Sequence, residues 1–556
     1  MARYTPKTAW VCAGVLSLVA SLLLVTNAFL FKFFGEYLFP GAVAFVTEDF
    51  PYLWDCFINY FSISSFIFIV VIMACHFFCL IPHGKSLSLK KMLPLFLMVL
   101  GSGIFALNKI EKLSEYRFPP DVVMIESLSK HFLRVKEKVW PLRPSNRISI
   151  RSGKDALRPA TVVLIVNESM GVRGAQMLRH YKKSCPHCRG LYRISQHIKA
   201  DPASYIIFEN AFTSSLATQV SMPSIFSGVG PEESHRHLHK VPLLWDMAHA
   251  AGYTTGYFTS QRIRWASMND FLLKQPLDTL VSREVTSFPI ANDMGVDDFQ
   301  ILEIMKQWIK THKNQPLFLL WNTNALHAPF QESSEYIDLS GVPGSRHDKA
   351  LDLIDSVSSK FFEILKEEGR WNDALIISTG DHADDPEPSH PLARLNSNYD
   401  EFIRLPIWIK VPSTLQGSSF LSQMQRNREQ PMSNADLAPT LAHLWDIQSN
   451  DSYQLTGSSL GRSLNKERVL AVLSTNDTRS WAGEGFGLIQ GEWRLVLVPP
   501  ATINLYHIPT DSLQKHNLYE QAPDSVLKIF ENRIANNAWL KKIYAHYKNQ
   551  KTPTLP

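Results

Sequence analysis

Two hydrophobic patterns divide this chain. From the first residue to about residue 110, apolar positions follow one another without a helical or strand period. Ala9 to Phe31 holds no charged residue and Cys56 to Pro82 holds only His76 as a titratable group, so each can cross a bilayer as a helix. Met92 to Asn108 lies at the short end of spanning length, and Asn27 to Val46 is a further candidate despite Lys32 and Glu36. The reading is about three spans, with about five as the alternative. The first run is too long for a signal-peptide core and further spans follow it, so it reads as a retained anchor. Arg3 and Lys7 precede the first span, and Lys85, Lys90 and Lys91 separate the second from the third. Basic loops belong on the cytoplasmic side, which sends everything after the third span across the membrane.

Residues 111–159 mix apolar positions with Lys130, Arg134, Lys136, Lys138, Arg143 and Arg147. An amphipathic helix and linker on an anionic lipid surface fits this mixture, as does a solvated linker. From residue 160 onward short apolar runs alternate with helical stripes, which predicts an α/β domain whose mainly parallel sheet is sandwiched by helices. The predicted strands are Thr161 to Val166, Tyr205 to Phe208, Thr254 to Phe258, Leu317 to Trp321, Ala374 to Ser378 and Leu405 to Val411. The predicted helices are Leu243 to Ala251, Asp298 to His312, Ala350 to Glu367 and Asn434 to Trp445. Ile301, Ile304, Met305 and Trp308 form a core-facing stripe on the second of these. After about Arg468 the runs shorten and alternate, ending in a helix from about Ser525 to Tyr544. Residues 468–556 therefore read as an antiparallel appendage of the domain spanning 160–556.

Composition changes this picture little. With 556 residues the chain holds one large domain and more, and a net charge of +5 is too small and dispersed to recruit nucleic acid. Cys12, Cys56, Cys75 and Cys79 fall in or beside the apolar runs. Cys185 and Cys188 form a CPHC motif that reads as a local disulfide in an oxidising compartment, with zinc coordination including His187 as the second reading and no catalytic role.

The chemistry gathers at strand ends. Leu375 to Asp385 is a buried run that stops at Gly380 and delivers Asp381, His382, Asp384 and Asp385 to an edge, where carboxylate and imidazole suit a divalent metal. A solvated acidic turn is the competing reading. The first strand likewise delivers Glu168. The run from Phe208 to Gly228 is rich in hydroxyls, including Ser214, Ser215, Thr218, Ser221 and Ser224, and Pro223 marks a helix start. A hydroxyl at a helix N-terminus beside a metal can attack phosphorus or sulfur. His327 follows the strand Leu317 to Trp321, and His390 follows the acidic turn.

Glu168 after the first strand, Thr-x-x-Ser-x-Pro with Thr218, His327 in His-x-Pro, the Asp381-His382 pair and then His390 together resemble the lipid-to-glycan phosphoethanolamine transferases of the alkaline phosphatase and sulfatase superfamily. The resemblance covers the anchor loosely and Thr161 to Trp445 in motif order. It implies zinc bound by Glu168, Thr218, Asp381 and His382, with Thr218 as nucleophile, and His327 and His390 at positions for phosphoryl binding, a second zinc or proton transfer. It implies phosphatidylethanolamine as donor, a glycan or lipopolysaccharide acceptor such as lipid A or core, and a multi-pass protein of the bacterial inner membrane with its catalytic domain in the periplasm. Ser214 and Ser224 stand where family members often carry a disulfide flanking the nucleophile, so the loop must be held another way. Asn-Glu-Ser replaces the common Gly-Glu-Thr, and Ala-Asp-Asp replaces Gly-Glu after the Asp-His pair.

Other readings remain open on the same residues. Ser221-Met222-Pro223-Ser224 is similar to the sulfatase signature, with Ser221 at the position that becomes formylglycine, but Ile225 stands where that signature has arginine. Phosphoglycerol transferases share the threonine nucleophile and a lipid donor. A catalytically retired, membrane-tethered binding protein is the non-enzyme alternative.

Overall fold

Apolar runs buried on both faces become the middle of a sheet. The strands are β1 (Thr161–Asn167), β2 (Tyr205–Phe208), β3 (Thr254–Thr259), β4 (Thr279–Val281), β5 (Leu317–Thr323), β6 (Ala374–Gly380) and β7 (Ile407–Lys410). They form one seven-stranded sheet in the order β2-β7-β6-β1-β5-β3-β4. This is a computed structural model, and it describes residues 147–173, 175, 190–264, 268, 271, 277–292, 295–328, 330–384, 398–474, 485–498 and 502–549. The chain divides into two units, Met1–Val139 and Trp140–Pro556. The first, with the candidate spans, lies outside the described residues, as do Cys185, Cys188 and His390. Among the described residues no helix is long and apolar enough to cross a membrane.

The sheet is mainly parallel, as the sequence pattern predicts, and is made mixed by one strand, β7. β1 pairs parallel with β5 and β6, and β3 pairs parallel with β4 and β5, but β7 runs antiparallel to both β6 and β2. A parallel neighbour requires a crossover that returns the chain to the opposite edge. The described ends of the connection between β6 and β7 instead lie together, with Ala383 N–H bonded to the Phe402 carbonyl, and Leu405 N–H bonds the Ala211 carbonyl.

Alternation along each strand sends side chains to two cores. Val162, Leu164, Val166, Phe318, Leu320, Leu375 and Ile377 face one side, where α2 (Thr218–Ser227), α3 (Leu244–Ala250) and α6 (Leu437–Leu444) cover them. Val163, Ile165, Leu319, Trp321, Ile376 and Trp408 face the other side, against α1 (Tyr192–Ala200), α4 (Asp298–Thr311) and α5 (Arg346–Glu367). The register levels three strand ends. Asn167 lies opposite both Thr323 and Gly380, so β1, β5 and β6 release the chain at one edge. Whatever follows those residues is brought together by the sheet.

Downstream, β8 (Leu470–Ser474), β9 (Gly485–Gln490), β10 (Trp493–Val498) and β11 (Thr502–His507) form a four-stranded antiparallel sheet in chain order. Phe530 and Ile534 of α7 (Asp524–Ala535) and Leu540 of α8 (Ala538–Asn549) pack on Leu473, Leu488, Leu495 and Leu505. This sheet also packs on the segment before α2 and on the short helix ahead of β7, where Leu470, Val472 and Ile489 meet Phe212, Leu216, Phe402 and Ile403. A buried ion group pins this junction. Asp400 accepts Arg494 Nε at 2.7 Å and Arg404 Nε at 2.6 Å, and the two guanidinium carbons stand 4.9 and 5.1 Å from the Phe212 ring centre.

Candidate metal and nucleophile site

Glu168 leaves β1 and Asp381 leaves β6 at the levelled edge, and both are buried, at 1% and 0% exposure. Two backbone features let them approach. Ser169 adopts the left-handed conformation, with φ 56°, and points its N–H at Asp381 Oδ1, 2.9 Å away. At Gly380 an added Cβ would sit 2.3 Å from the Met170 carbonyl oxygen, so glycine is what lets the two strand ends lie this close.

α2 supplies the third component. The pattern places its start at Pro223, but it begins at Thr218, with Ala217 in extended conformation as its N-cap and Pro223 inside it. Proline past the first turn of a helix leaves one carbonyl, that of Gln219, without its usual donor, a cost that burial of the surrounding turn offsets. Starting at Thr218 puts that hydroxyl at the positive end of the helix dipole. Thr218 Oγ1 donates to Glu168 Oε1 at 3.1 Å and lies 3.1 Å from His382 Nε2. His382 Nε2 is 3.6 Å from Glu168 Oε1 and 3.5 Å from Asp381 Oδ2. Its Nδ1 faces the Ala383 carbonyl at 3.4 Å, an acceptor, and a proton held there would leave the Nε2 lone pair for a cation in the cluster.

The turn before Thr218 is held by hydrogen bonds on several sides. Thr213 Oγ1 meets the carbonyls of Asp381 and Ser215, and Asn434 accepts the Ser214 N–H at 2.9 Å while donating to the Asp381 carbonyl at 3.0 Å. Leu473 of β8 donates to the Ser214 carbonyl at 3.0 Å and accepts from Leu216 N–H at 3.1 Å. These contacts hold the loop without a covalent link between positions 214 and 224.

Glu168, Asp381 and His382 form a group able to hold a metal, their donor atoms all within 4.8 Å of one another. Asp381 Oδ2 is buried without a hydrogen-bond partner among the described residues. Burial, then the charge of Glu168, pushes the Asp381 carboxyl above the usual carboxylate range, with His382 pulling the other way. Two buried carboxylates facing one another with an orphan oxygen call for a cation. Tetrahedral zinc with bonds of about 2.0 Å sets its donors about 3.3 Å apart, close to the separations found here. The donor set fits, and Glu168, Thr218, Asp381 and His382 would hold the ion.

A family model described as Sulfatase matches residues 160–447. The chain belongs to the sulfatase family. Its N-acetylgalactosamine-6-O-sulfatase relative from Bacteroides thetaiotaomicron is 22% identical over 263 residues, 41% of this chain and 48% of that protein. The chain thus matches about half the length of that curated relative. Among solved structures, a protein in the alkaline phosphatase superfamily from Vibrio parahaemolyticus superposes with a TM-score of 0.51 at 15% identity, over 72% of this chain and 90% of its own. That likeness shows the fold, an α/β alkaline phosphatase-like arrangement around a mixed sheet. The C-terminal periplasmic domain of EcEptC from Escherichia coli, in complex with Zn, is also similar, with a TM-score of 0.44, 16% identity, and coverage of 59% of this chain and 93% of that one.

Other sequence candidates of this sulfatase-family chain take different places. His327 lies on the turn beyond β5, half-buried, with Nδ1 against the Ala328 carbonyl at 2.7 Å. Ser221 is fully buried one turn along α2, its hydroxyl 3.5 Å from the Thr218 carbonyl. His390 lies outside the described residues. Sequence reasoning missed Gln261, just past β3, whose amide donates to Glu168 Oε2 at 3.0 Å.

Proposed function

We propose that this protein transfers phosphoethanolamine from phosphatidylethanolamine to a cell-surface glycan or lipopolysaccharide acceptor through a covalent phosphothreonine at Thr218. The observation that carries the proposal is the position of Thr218 Oγ1, 3.1 Å from both Glu168 Oε1 and His382 Nε2, while Ser221 is turned to the Thr218 carbonyl. The apolar N-terminal runs support a lipid donor and a place in the bacterial inner membrane with this domain in the periplasm.

A zinc ion bound by the cluster would lower the hydroxyl pKa of Thr218 and offset the paired carboxylates. The chain's own residues do the rest. With the ion held there, Thr218 gives up its proton to solvent, and Oγ1 forms a bond to phosphorus. The bond from phosphorus to the glycerol oxygen breaks, and that oxygen leaves as diacylglycerol after taking a proton from His327 or His390. N–H groups at the start of α2 face the same end as Thr218 and suit the phosphoryl oxygens. An acceptor oxygen then loses its proton to a histidine and bonds to phosphorus, and Thr218 leaves and regains its own proton.

Peptide mass spectrometry after incubation with phosphatidylethanolamine tests this directly. A phosphoethanolamine adduct on Thr218 is expected. An aldehyde at Ser221 would move the reading to a sulfatase-type hydrolase, and a phosphoglycerol adduct formed from phosphatidylglycerol would change the donor. No bound metal and no diacylglycerol release from any phospholipid would leave a retired binding protein.

A further inference from the structure

Glu168 presents its two oxygens to different surroundings. Oε1 faces Thr218 at 3.1 Å, Ser169 Oγ at 3.3 Å and His382 Nε2 at 3.6 Å, while Oε2 accepts from Gln261 Nε2 at 3.0 Å. The same nitrogen of Gln261 donates to the Thr323 carbonyl at 3.0 Å, at the last residue of β5. Both acceptors are oxygens that cannot donate, so the NH2 end of the amide must face them, and both of its protons are engaged. Gln261 is only 3% exposed, and its backbone is fixed independently of the side chain. Its N–H donates to Thr259 Oγ1 at 3.1 Å, its carbonyl accepts Arg283 N–H at 3.1 Å, and it bridges antiparallel to Gly295. The amide is a strut between the end of β5 and the carboxylate that leaves β1.

We propose that Gln261 is a positioning residue that locks the rotation of the Glu168 carboxylate, so that Oε1 alone is offered to a divalent cation. The inference rests on the metal reading given above and concerns how that site is held. A neutral donor suits this task, because lysine or arginine at the same place would neutralise Glu168 and compete with the cation. Outer partners of this kind set both the orientation and the basicity of a ligand.

The test uses the full-length protein in detergent, stripped of metal and titrated with zinc against a chromophoric chelator, then reloaded with cobalt(II) for its visible spectrum. Gln261→Met, similar in length but without a donor, is expected to bind zinc about ten- to a hundredfold more weakly and to give a cobalt band of altered intensity or position, with circular dichroism unchanged. If Gln261→Met does not fold, Gln261→Asn, which keeps the amide but stops a methylene short of Glu168, is expected to move both readouts in the same direction. Equal zinc affinity and an unaltered cobalt spectrum in a folded variant would overturn the role of Gln261 and leave the metal reading standing. Wild-type protein that takes up no zinc would overturn both.

Discussion

The backbone N–H of Leu473 donates to the Ser214 carbonyl at 3.0 Å, joining the edge of the C-terminal sheet to the turn that leads into Thr218. Leu473→Pro removes that donor and leaves the bonds of the opposite strand edge in place. Misplacing a reacting group by about 1 Å can cost on the order of a hundredfold in rate. Turnover of the variant is expected to fall about tenfold or more, with donor KM within about twofold; because the Leu473 side chain is also buried under α7 and α8, a stability loss of about 2–5 kcal/mol accompanies it. Unchanged kcat would show that the turn holds its position without the sheet.

Thr218→Ala tests the nucleophile. The side chain is part-buried and makes its bonds inside the cluster, so stability is expected to change by under about 1 kcal/mol. Transfer is expected to fall by about three orders of magnitude or more, as for loss of a nucleophile elsewhere. Residual transfer near the original rate would remove Thr218 from that role.

Metal removal offers a measurement without substrate. Protein treated with chelator keeps two buried carboxylates unbalanced and is expected to unfold at lower temperature. Zinc at about a hundred times its Kd should restore about 2.7 kcal/mol. A melting temperature indifferent to chelator and to added zinc would count against the site.

The Asp400 junction gives a pH signature far from the metal. Burial alone would raise this carboxyl, but Arg494 and then Arg404 hold it down to about 2. The unfolded value is about 3.9, so the folded carboxyl has the lower pKa and its contribution is present in full above about pH 4. It is lost as pH falls through 2. The contribution is on the order of 2 kcal/mol. Urea midpoints measured from pH 6 down to pH 2 should therefore converge for the wild type and Asp400→Asn, the wild type being the more stable at the upper end. Parallel curves would contradict the pairing.

Much of this arrangement was legible in the sequence because fully buried strands write continuous apolar runs. Thr161–Asn167 and Ala374–Gly380 are of that kind, and the carboxylates just beyond them stand out against it. The direction of Ile407–Lys410 was not legible, since a four-residue strand reads the same either way and its connection decides. The start of α2 was misplaced because Pro223, usually a first-turn residue, sits deeper in a helix whose burial tolerates it. Gln261 gave no signal at all. A neutral residue that acts by touching a charged one has no period, no motif and no charge to read, and only the fold reveals what it faces.

The edge strand Leu470–Ser474 has a consequence beyond catalysis. Exposed strand edges recruit other chains, and proteins commonly blunt them with charge, proline or a covering loop. Here the cover is the turn at Ser214 to Leu216 itself. Any change that loosens that turn also uncovers an apolar strand ready to pair with a second molecule. Loss of activity and loss of solubility should therefore arise together from damage at this one contact, so aggregation during purification would be an early sign that the turn before Thr218 has let go.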